Sequence, residues 1–473
     1  MNENCVKIQN LFLELRFDEA EVLLNAEQSR DAENIAHAWL EESILFYKLF
    51  ISEDKSLFES SNKTWKDLIQ KTEKTKFNNA WYRYILSDMY LHRALIQFKF
   101  NQHLNAGGNI QNAHKLLKDN NKKFPYFLPD NINHGFLQCM FSSVPTKYQW
   151  LTKLIGFQGD LDEGLKEIEA YMNSDLSYGE HGFIQKEAAF VYALIQHHLN
   201  QNTEKAWSTI EKQTQAYKTH ILENYMRASI ASYNGMNDEV VEILKLKPKH
   251  NKAYPFLYMD YMLGVAKMRR LDSDADVYFK IFTVKYEGGN YLKAAYRNLA
   301  WMSIIKGNEI EAKVYYDLCL KSGIAEIEDD KQAFKEAQEK LIWPRDLLKA
   351  RLLFDGEYYK KALQALNKVK YGDLNTMRYK LELNYRKARI YHESGEADKA
   401  IPFYMQTCEN GKTQSYYYSA YSALQLGLIY ENKKDYTNAA KYYKLAKSGY
   451  PNNTEYVSSI EQKAKAGLKR IKH

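Results

Sequence analysis

Residues 421–453 read YSALQLGLIYENKKDYTNAAKYYKLAKSGYPNN, and their spacing decides the fold. Ala423, Leu426, Gly427 and Tyr430 recur at helical intervals. A polar break follows at 432–435, and then Ala439, Tyr443 and Ala446 recur at helical intervals up to Pro451. Apolar residues every three or four positions give each segment one buried stripe, and a proline cannot continue the second helix. Two helices joined by so short a break lie antiparallel. Gly427 and Ala439, twelve residues apart, are small enough to let them approach, and Tyr430 and Tyr443 fill the space alongside.

This order resembles the tetratricopeptide signature W-x2-L-G-x2-Y…A-x3-F…P, with Ala423 in place of the tryptophan and Tyr443 in place of the phenylalanine. The small pair twelve apart recurs upstream as Ala388 with Ala400, Ala350 with Ala362 and Ala300 with Ala312. Fillers stand at Tyr404, Leu366 and Tyr316, and breakers at Ser394-Gly395, Asp355-Gly356 and Gly307-Asn308. Weaker copies centre on Gly264 and on Ala228, the latter with Asn234-Gly235 at its turn. Start-to-start spacings of 36, 36, 50, 38 and 39 residues are close to the repeat of about 34. The long interval accommodates an extra helix, DDKQAFKEAQEKL, from Asp329 to Leu341. Six copies in register exclude chance. The resemblance implies an all-α, right-handed α-α superhelix of stacked helix-turn-helix hairpins, roughly 22–26 helices in one continuous solenoid.

The N-terminal third is helical but less regular. NLFLELRFDEAEVLLNAE, AHAWLEESILFYKLF and YILSDMYLHRALIQFKF each read as a helix. Ser143 and Pro145 suit a helix start, Gly156 a stop, and Asp160 with Glu163 a capping box. LNAGGNIQNAHKLL at 104–117, with Val144-Pro145, Gly156-Phe157, Gly159-Asp160 and Gly164-Leu165, resembles the tetratricopeptide repeat protein 39 family over about 75 residues. That resemblance implies an adaptor architecture and no catalytic residue. The expected division is 1–175, irregular helical repeats, and 176–473, tetratricopeptide-like repeats ending in a capping helix.

Composition narrows the class. Eight prolines and 21 glycines in 473 residues are too few for a sandwich or barrel, which turns every 8–12 residues or so. Lys and Arg number 66 against 59 Asp and Glu, a charge of +7, too mild to indicate nucleic acid. The lysines of KLKPKHNK (245–252) and of the last helix (Lys463, Lys465, Lys469, Arg470, Lys472) lack interleaved aromatic residues and suit a polar cap. No apolar run reaches the roughly 18 residues of a membrane span. If Met1 is the native start the compartment is the cytoplasm; if a signal peptide once preceded it, the periplasm.

Chemistry is sparse. Phosphate-binding, dinucleotide and nucleophile-elbow motifs are absent, and the four cysteines are too far apart for a CxxC site. His392-Glu393 opens an HExxH motif, but Glu396 occupies the second ligand position. His197 and His198 diverge by about 100° on a helix. Asp272, Asp274 and Asp276 open a calcium-type loop, yet Val277 and Thr283 stand where glycine and glutamate belong, so Asp272 fits a helix cap better. No enzyme, cofactor or metal is expected.

Tyrosine is abundant at 38 residues, with runs at 416–418, 442–443 and 358–359. Adjacent helical residues diverge, so one of each pair is expected in the core and the other at a contact surface. In such repeats the first helix of each hairpin lines the concave wall. There the chain offers Tyr258, Tyr261, Arg297, Trp301, Arg351, Tyr385, Arg389, His392 and Tyr421. The Lys and Asn combination of the chaperone-tail clamp is absent. The expectation is a non-catalytic scaffold holding a protein or peptide partner in this groove, an acidic one suiting the arginines. The alternative is a carbohydrate- or nutrient-binding helical solenoid of the bacterial cell envelope. Homo-oligomerisation stays open at this stage.

Overall fold

The computed structural model describes residues 2–74, 79–142, 144, 149–175 and 182–471. Among these residues there are twenty-five α-helices and no strand, and none of the helices is long and apolar enough to cross a membrane.

The deciding stretch forms helices Tyr417–Asn432 and Tyr436–Ser448. The chain reverses through Lys434 at φ +59°, and the Asp435 carboxylate accepts from the Asn438 amide at 3.1 Å, capping the second helix. Gly427 sits directly on the Tyr443 ring: a Cβ there would stand 2.5 Å from Cδ1. The same construction repeats in Met377–Glu393 with Ala397–Asn410, Arg345–Asp355 with Tyr359–Leu366, Leu292–Lys306 with Glu309–Lys321, and Ile221–Tyr233 with Asn237–Lys245. Ala300, Ala312, Ala350, Ala362, Ala388, Ala400 and Ala439 are fully buried, as are the fillers Tyr316, Leu366, Tyr404 and Tyr443. The extra helix is Glu328–Glu339.

Three of the glycine breakers take the left-handed conformation that a helix end requires: Gly235, Gly307 and Gly395. Gly356 does not. The left-handed residue of that turn is Glu357, at φ +63°. Gly356 instead lets other groups close in, since a Cβ would meet Tyr358 Cε2 at 2.8 Å and Arg269 Cβ at 3.0 Å.

The chain divides into two compact units. The first is Met1–Leu263 with Tyr278–Leu292 and Ser322–Asp330; the second is Gly264–Val277, Lys293–Lys321 and Lys331–His473. Within the second, the first helices Arg345–Asp355, Met377–Glu393 and Tyr417–Asn432 lie side by side, and each second helix packs on the next hairpin. Helix Val457–Arg470 ends the stack. Its Gly467 also rests against the Tyr443 ring, and Arg470 pairs with Glu431 at 2.7 Å. Tyr442 and Tyr443 are both buried, against the expectation of one per pair. Tyr443 fills the hairpin interior, while Tyr442 lies parallel to Tyr430 with centroids 5.6 Å apart.

The first unit departs from the sequence reading at its start. NLFLELRFDEAEVLLNAE is not one helix but the parts of two, Glu3–Leu13 and Phe17–Arg30. Leu15 reverses the chain at φ +57°, without a glycine or proline to announce it. Its side chain is fully buried, and its carbonyl accepts from the Tyr254 amide at 2.8 Å. Phe12 meets Phe183 edge-on at 5.6 Å, and Asn290 donates to Glu53 at 2.7 Å. The beginning of this unit is thereby bound to segments far along the chain. Helices Asp130–Ser142 and Leu161–Met172 cross at two glycines, where a Cβ on Gly164 would stand 2.5 Å from the Gly135 carbonyl oxygen. Asp160 caps the second of these through the Glu163 amide at 2.9 Å, but its own amide donates to Gln138 at 2.9 Å rather than to Glu163, so half of the expected capping box forms. Gly156 takes φ +66° after helix Gln149–Ile155, as expected. The start signal at Ser143 and Pro145 lies outside the described residues, as does Lys472.

Candidate functional site

Successive first helices of the second unit carry a row of guanidinium groups interleaved with rings. The Arg297 guanidinium lies 4.3 Å from the Trp301 ring centroid, and Arg351 lies 4.6 Å from the same ring. Arg351 and Arg378 then flank Trp343, at 5.2 Å and 5.7 Å. Arg386 and Arg389 both lie against Phe354. Arg389 donates to the Tyr385 hydroxyl at 3.3 Å, and Tyr385 meets Tyr417 edge-on, with Tyr421 next in line. Stacking on rings suits the planar, weakly hydrated guanidinium better than an ammonium group.

Carboxylates hold most of the row in place. Glu336, from the extra helix, accepts from Trp301 Nε1 at 3.1 Å and approaches Arg351 at 3.5 Å. Glu382 pairs with Arg386 at 2.6 Å, Glu339 pairs with Arg378, and Glu393 pairs with Arg389 at 2.7 Å. Burial opposes the Glu382 charge, yet Arg386 and Arg351 hold its carboxyl below the usual range. Burial likewise opposes the charge on Arg351, which Glu336 and Glu382 keep above the ordinary arginine range. Burial lowers His392, so it stays neutral near pH 7.

Arg297 differs from the other arginines of the row. It is only 7% exposed, and no carboxylate lies within ion-pair distance among the described residues. Its Nη2 donates to Asn298 Oδ1 at 3.3 Å, and its Nε has no partner. A charge so far out of water ordinarily acquires a counter-ion.

Of the residues singled out from the sequence, Arg297, Trp301, Arg351, Tyr385, Arg389, His392 and Tyr421 belong to the second unit. Arg297, Trp301 and Arg351 meet around one indole, and Tyr385, Arg389 and Tyr421 lie along the same run of rings and cations. Arg297, Trp301 and Tyr385 are buried, whereas Arg351, Arg389, His392 and Tyr421 are part-exposed. Tyr258 and Tyr261 belong to the first unit, stacked on each other at 5.7 Å and joined by Tyr291. Sequence reasoning passed over Glu336, Trp343, Arg378, Glu382 and Arg386. Glu336 had a signal, because its helix was recognised as an insertion beside these hairpins.

Other sequence candidates have structural partners. Asp272 accepts from Arg270 at 2.9 Å, and Asp274 pairs with Lys267 at 2.7 Å. Among the described residues no group of three or more His, Cys, Asp or Glu could hold a metal ion. The four cysteines are buried and form no disulfide among the described residues, and burial pushes the Cys139 and Cys408 thiols up to about 12.

No family model and no curated protein sequence matches the chain. Among solved structures it is similar to the crystal structure of the P58(IPK) TPR domain, with 12% identity and a TM-score of 0.22, over 91% of this chain and 98% of that one. It is also similar to a chain in the structure of Naa15/Naa10 bound to HypK-THB, with 13% identity and a TM-score of 0.23, over 99% of this chain and 65% of that one. Both scores are low, and the all-α hairpin fold rests on the helix pairs themselves.

Proposed function

We propose that this protein is a non-catalytic scaffold that binds a protein or peptide partner on the first-helix face of its second unit, and that the partner presents a carboxylate to Arg297. The observation that carries this reading is the solitary Arg297 guanidinium beside arginines that each have an acid. Its fork geometry offers a carboxylate two parallel hydrogen bonds, and the neighbouring Trp301 gives an apolar backing. Arg351, Arg389, His392 and Tyr421, part-exposed on the same helices, extend the contact along a chain-like ligand. The likeness of residues near 100–170 to the tetratricopeptide repeat protein 39 family fits an adaptor and adds no site.

The test uses capture from a lysate with the partner identified by mass spectrometry, followed by affinity measurement on Arg297→Met. Methionine keeps the packing on Trp301 and removes the charge. The expected loss is about 2 kcal/mol of binding, as for a central contact. The melting temperature should hold or rise, since no ion pair is removed. Unchanged affinity for every captured partner would refute the assignment.

A further inference from the structure

The first unit contains a second feature, independent of the arginine row. Five helices, Ile35–Ser52, Ala80–Lys99, Asp130–Ser142, Gly182–His198 and Ile221–Tyr233, surround a cavity of about 270 Å³. Its walls are mostly apolar and rich in aromatic residues, among them Phe46, Phe50, Tyr84, Phe136, Phe190 and Phe256. A second cavity of about 340 Å³, lined among the described residues by apolar side chains, shares Leu91, Leu95 and Phe136 with the first. Together they fall in the roughly 300–1,000 Å³ range of small-molecule sites. Leu95 and Met140 line the second cavity and are part-exposed, so it borders the surface.

One end of the first cavity is polar and acidic. Asp88 accepts from Trp39 Nε1 at 2.8 Å and from Asn133 at 3.1 Å. His92 bonds Glu42 at 2.9 Å through Nδ1 and approaches Asp88 at 3.7 Å through Nε2. Its ring is stacked on Phe46 at 3.9 Å. The one imidazole is therefore committed to two carboxyls. Glu187, the third carboxyl, accepts only the Tyr47 hydroxyl among the described residues. Its remaining acceptor capacity faces the cavity, which it lines. Burial pushes this carboxyl up to about 7.

We propose that the first unit binds an amphiphilic amine, whose protonated nitrogen donates to Glu187 among the aromatic faces and whose apolar tail occupies the adjoining cavity. Three carboxyls against one committed imidazole repel an anionic head group. A neutral head could donate one hydrogen bond but would forgo the attraction of the rings for a cation. The second cavity, whose described lining carries no polar side chain to hold water, accepts a hydrocarbon tail.

Three probes with one tail and different heads decide the matter: dodecylamine, 1-dodecanol and dodecanoic acid. Each is titrated calorimetrically into the full chain at pH 7.5, below micelle-forming concentration. The expected result is one dodecylamine per chain, bound at least tenfold more tightly than the other two. Glu187→Gln should lose at least tenfold for the amine and leave dodecanol unchanged. Met140→Trp, which places an indole at the tail cavity, should weaken the amine while keeping Glu187 and the helical circular dichroism intact. Equal affinity for the alcohol, tighter binding of the acid, no binding of any probe, or amine affinity indifferent to both variants would each overturn the proposal.

Discussion

Adding a single methyl group at Gly427 tests the packing of the C-terminal hairpin most directly. Glycine in a helix interior is worth about 1 kcal/mol less than alanine, so Gly427→Ala stabilises the helix in isolation. Against that, the new Cβ would stand 2.5 Å, 2.6 Å and 3.0 Å from three atoms of the Tyr443 ring, where carbon atoms need about 3.5–4.0 Å. The ring would have to withdraw by about 1 Å. Gly467 also lies against the ring, its own Cβ position 2.4 Å from Tyr443 Cζ. The hydroxyl is meanwhile held by Glu431 and by Arg470, the latter at 3.3 Å. With retreat blocked, the strain belongs at or above the upper end of the roughly 1–3 kcal/mol typical of overpacking. The net expectation is a destabilisation of about 2 kcal/mol. Gly108→Ala is the control: nothing lies within 4 Å of its Cβ position, so it should gain about 0.5–1 kcal/mol. Hydrogen exchange across helix Tyr417–Asn432 reads the first effect locally, and thermal unfolding ranks both. In a Tyr443→Leu background the Gly427→Ala penalty should vanish. A Gly427→Ala protein as stable as wild type, or a penalty that survives Tyr443→Leu, would refute the reasoning.

Glu382→Gln should cost about 1–3 kcal/mol, because it leaves the buried Arg386 with Asp355, at 3.2 Å, as its one remaining acid among the described residues, and urea unfolding followed by fluorescence measures it. Asp130 is buried, neither carboxyl oxygen has a donor in hydrogen-bond geometry among the described residues, and burial pushes it up to about 7. A carboxyl raised on folding contributes stability at low pH that is lost as pH rises through about 7, so Asp130→Asn should raise the melting temperature at pH 8 but not at pH 4.5, by about 2–4 kcal/mol at the higher pH. A difference independent of pH would rule this out. Dodecylamine affinity should climb between pH 6 and 7 and level off by pH 8, as Glu187 gives up its proton. Glu42, Tyr47, Tyr84, Asp88, His92, Tyr171 and Tyr225 are the titratable groups around it; burial pushes the four tyrosines upward. Burial opposes the His92 charge, but Asp88 and Glu42 lift it to about 10, so it stays positive throughout. A flat calorimetric profile over that window would remove Glu187 from the site.

The repeat was legible because its requirement is local. A small residue must face a small residue twelve positions on, and every such alanine proved fully buried. Breaks were legible where glycine supplies the left-handed turn, as at Gly307 and Gly395, or stands beside it, as Gly356 beside Glu357, and not at Leu15, where no residue type marks the reversal. The arginine row was partly legible, since i, i+4 spacing puts Arg297 beside Trp301 and Tyr385 beside Arg389. That Arg297 alone in the row lacks an acid among the described residues could not be read, because the acids of Arg351 and Arg378, Glu336 and Glu339, come from a separate helix, the inserted one. The cavity left no periodic trace: Tyr47 and Glu187, hydrogen-bonded across helices at its acidic end, are separated by 140 residues.

The reversal at Leu15 bears on how the chain is made. The Leu15 carbonyl waits for the Tyr254 amide, and Glu53 waits for Asn290. At the usual ~5–20 residues per second of synthesis, an interval of roughly 10–50 s separates the emergence of each such pair. During that time the first hairpin leaves the ribosome with Phe12 and Phe17 lacking some of their final neighbours, Phe183 and Tyr254. A pure array can settle repeat by repeat behind the translating ribosome. This N-terminal unit cannot complete itself that way, and its first thirty residues are where chaperone dependence and co-translational proteolysis should concentrate.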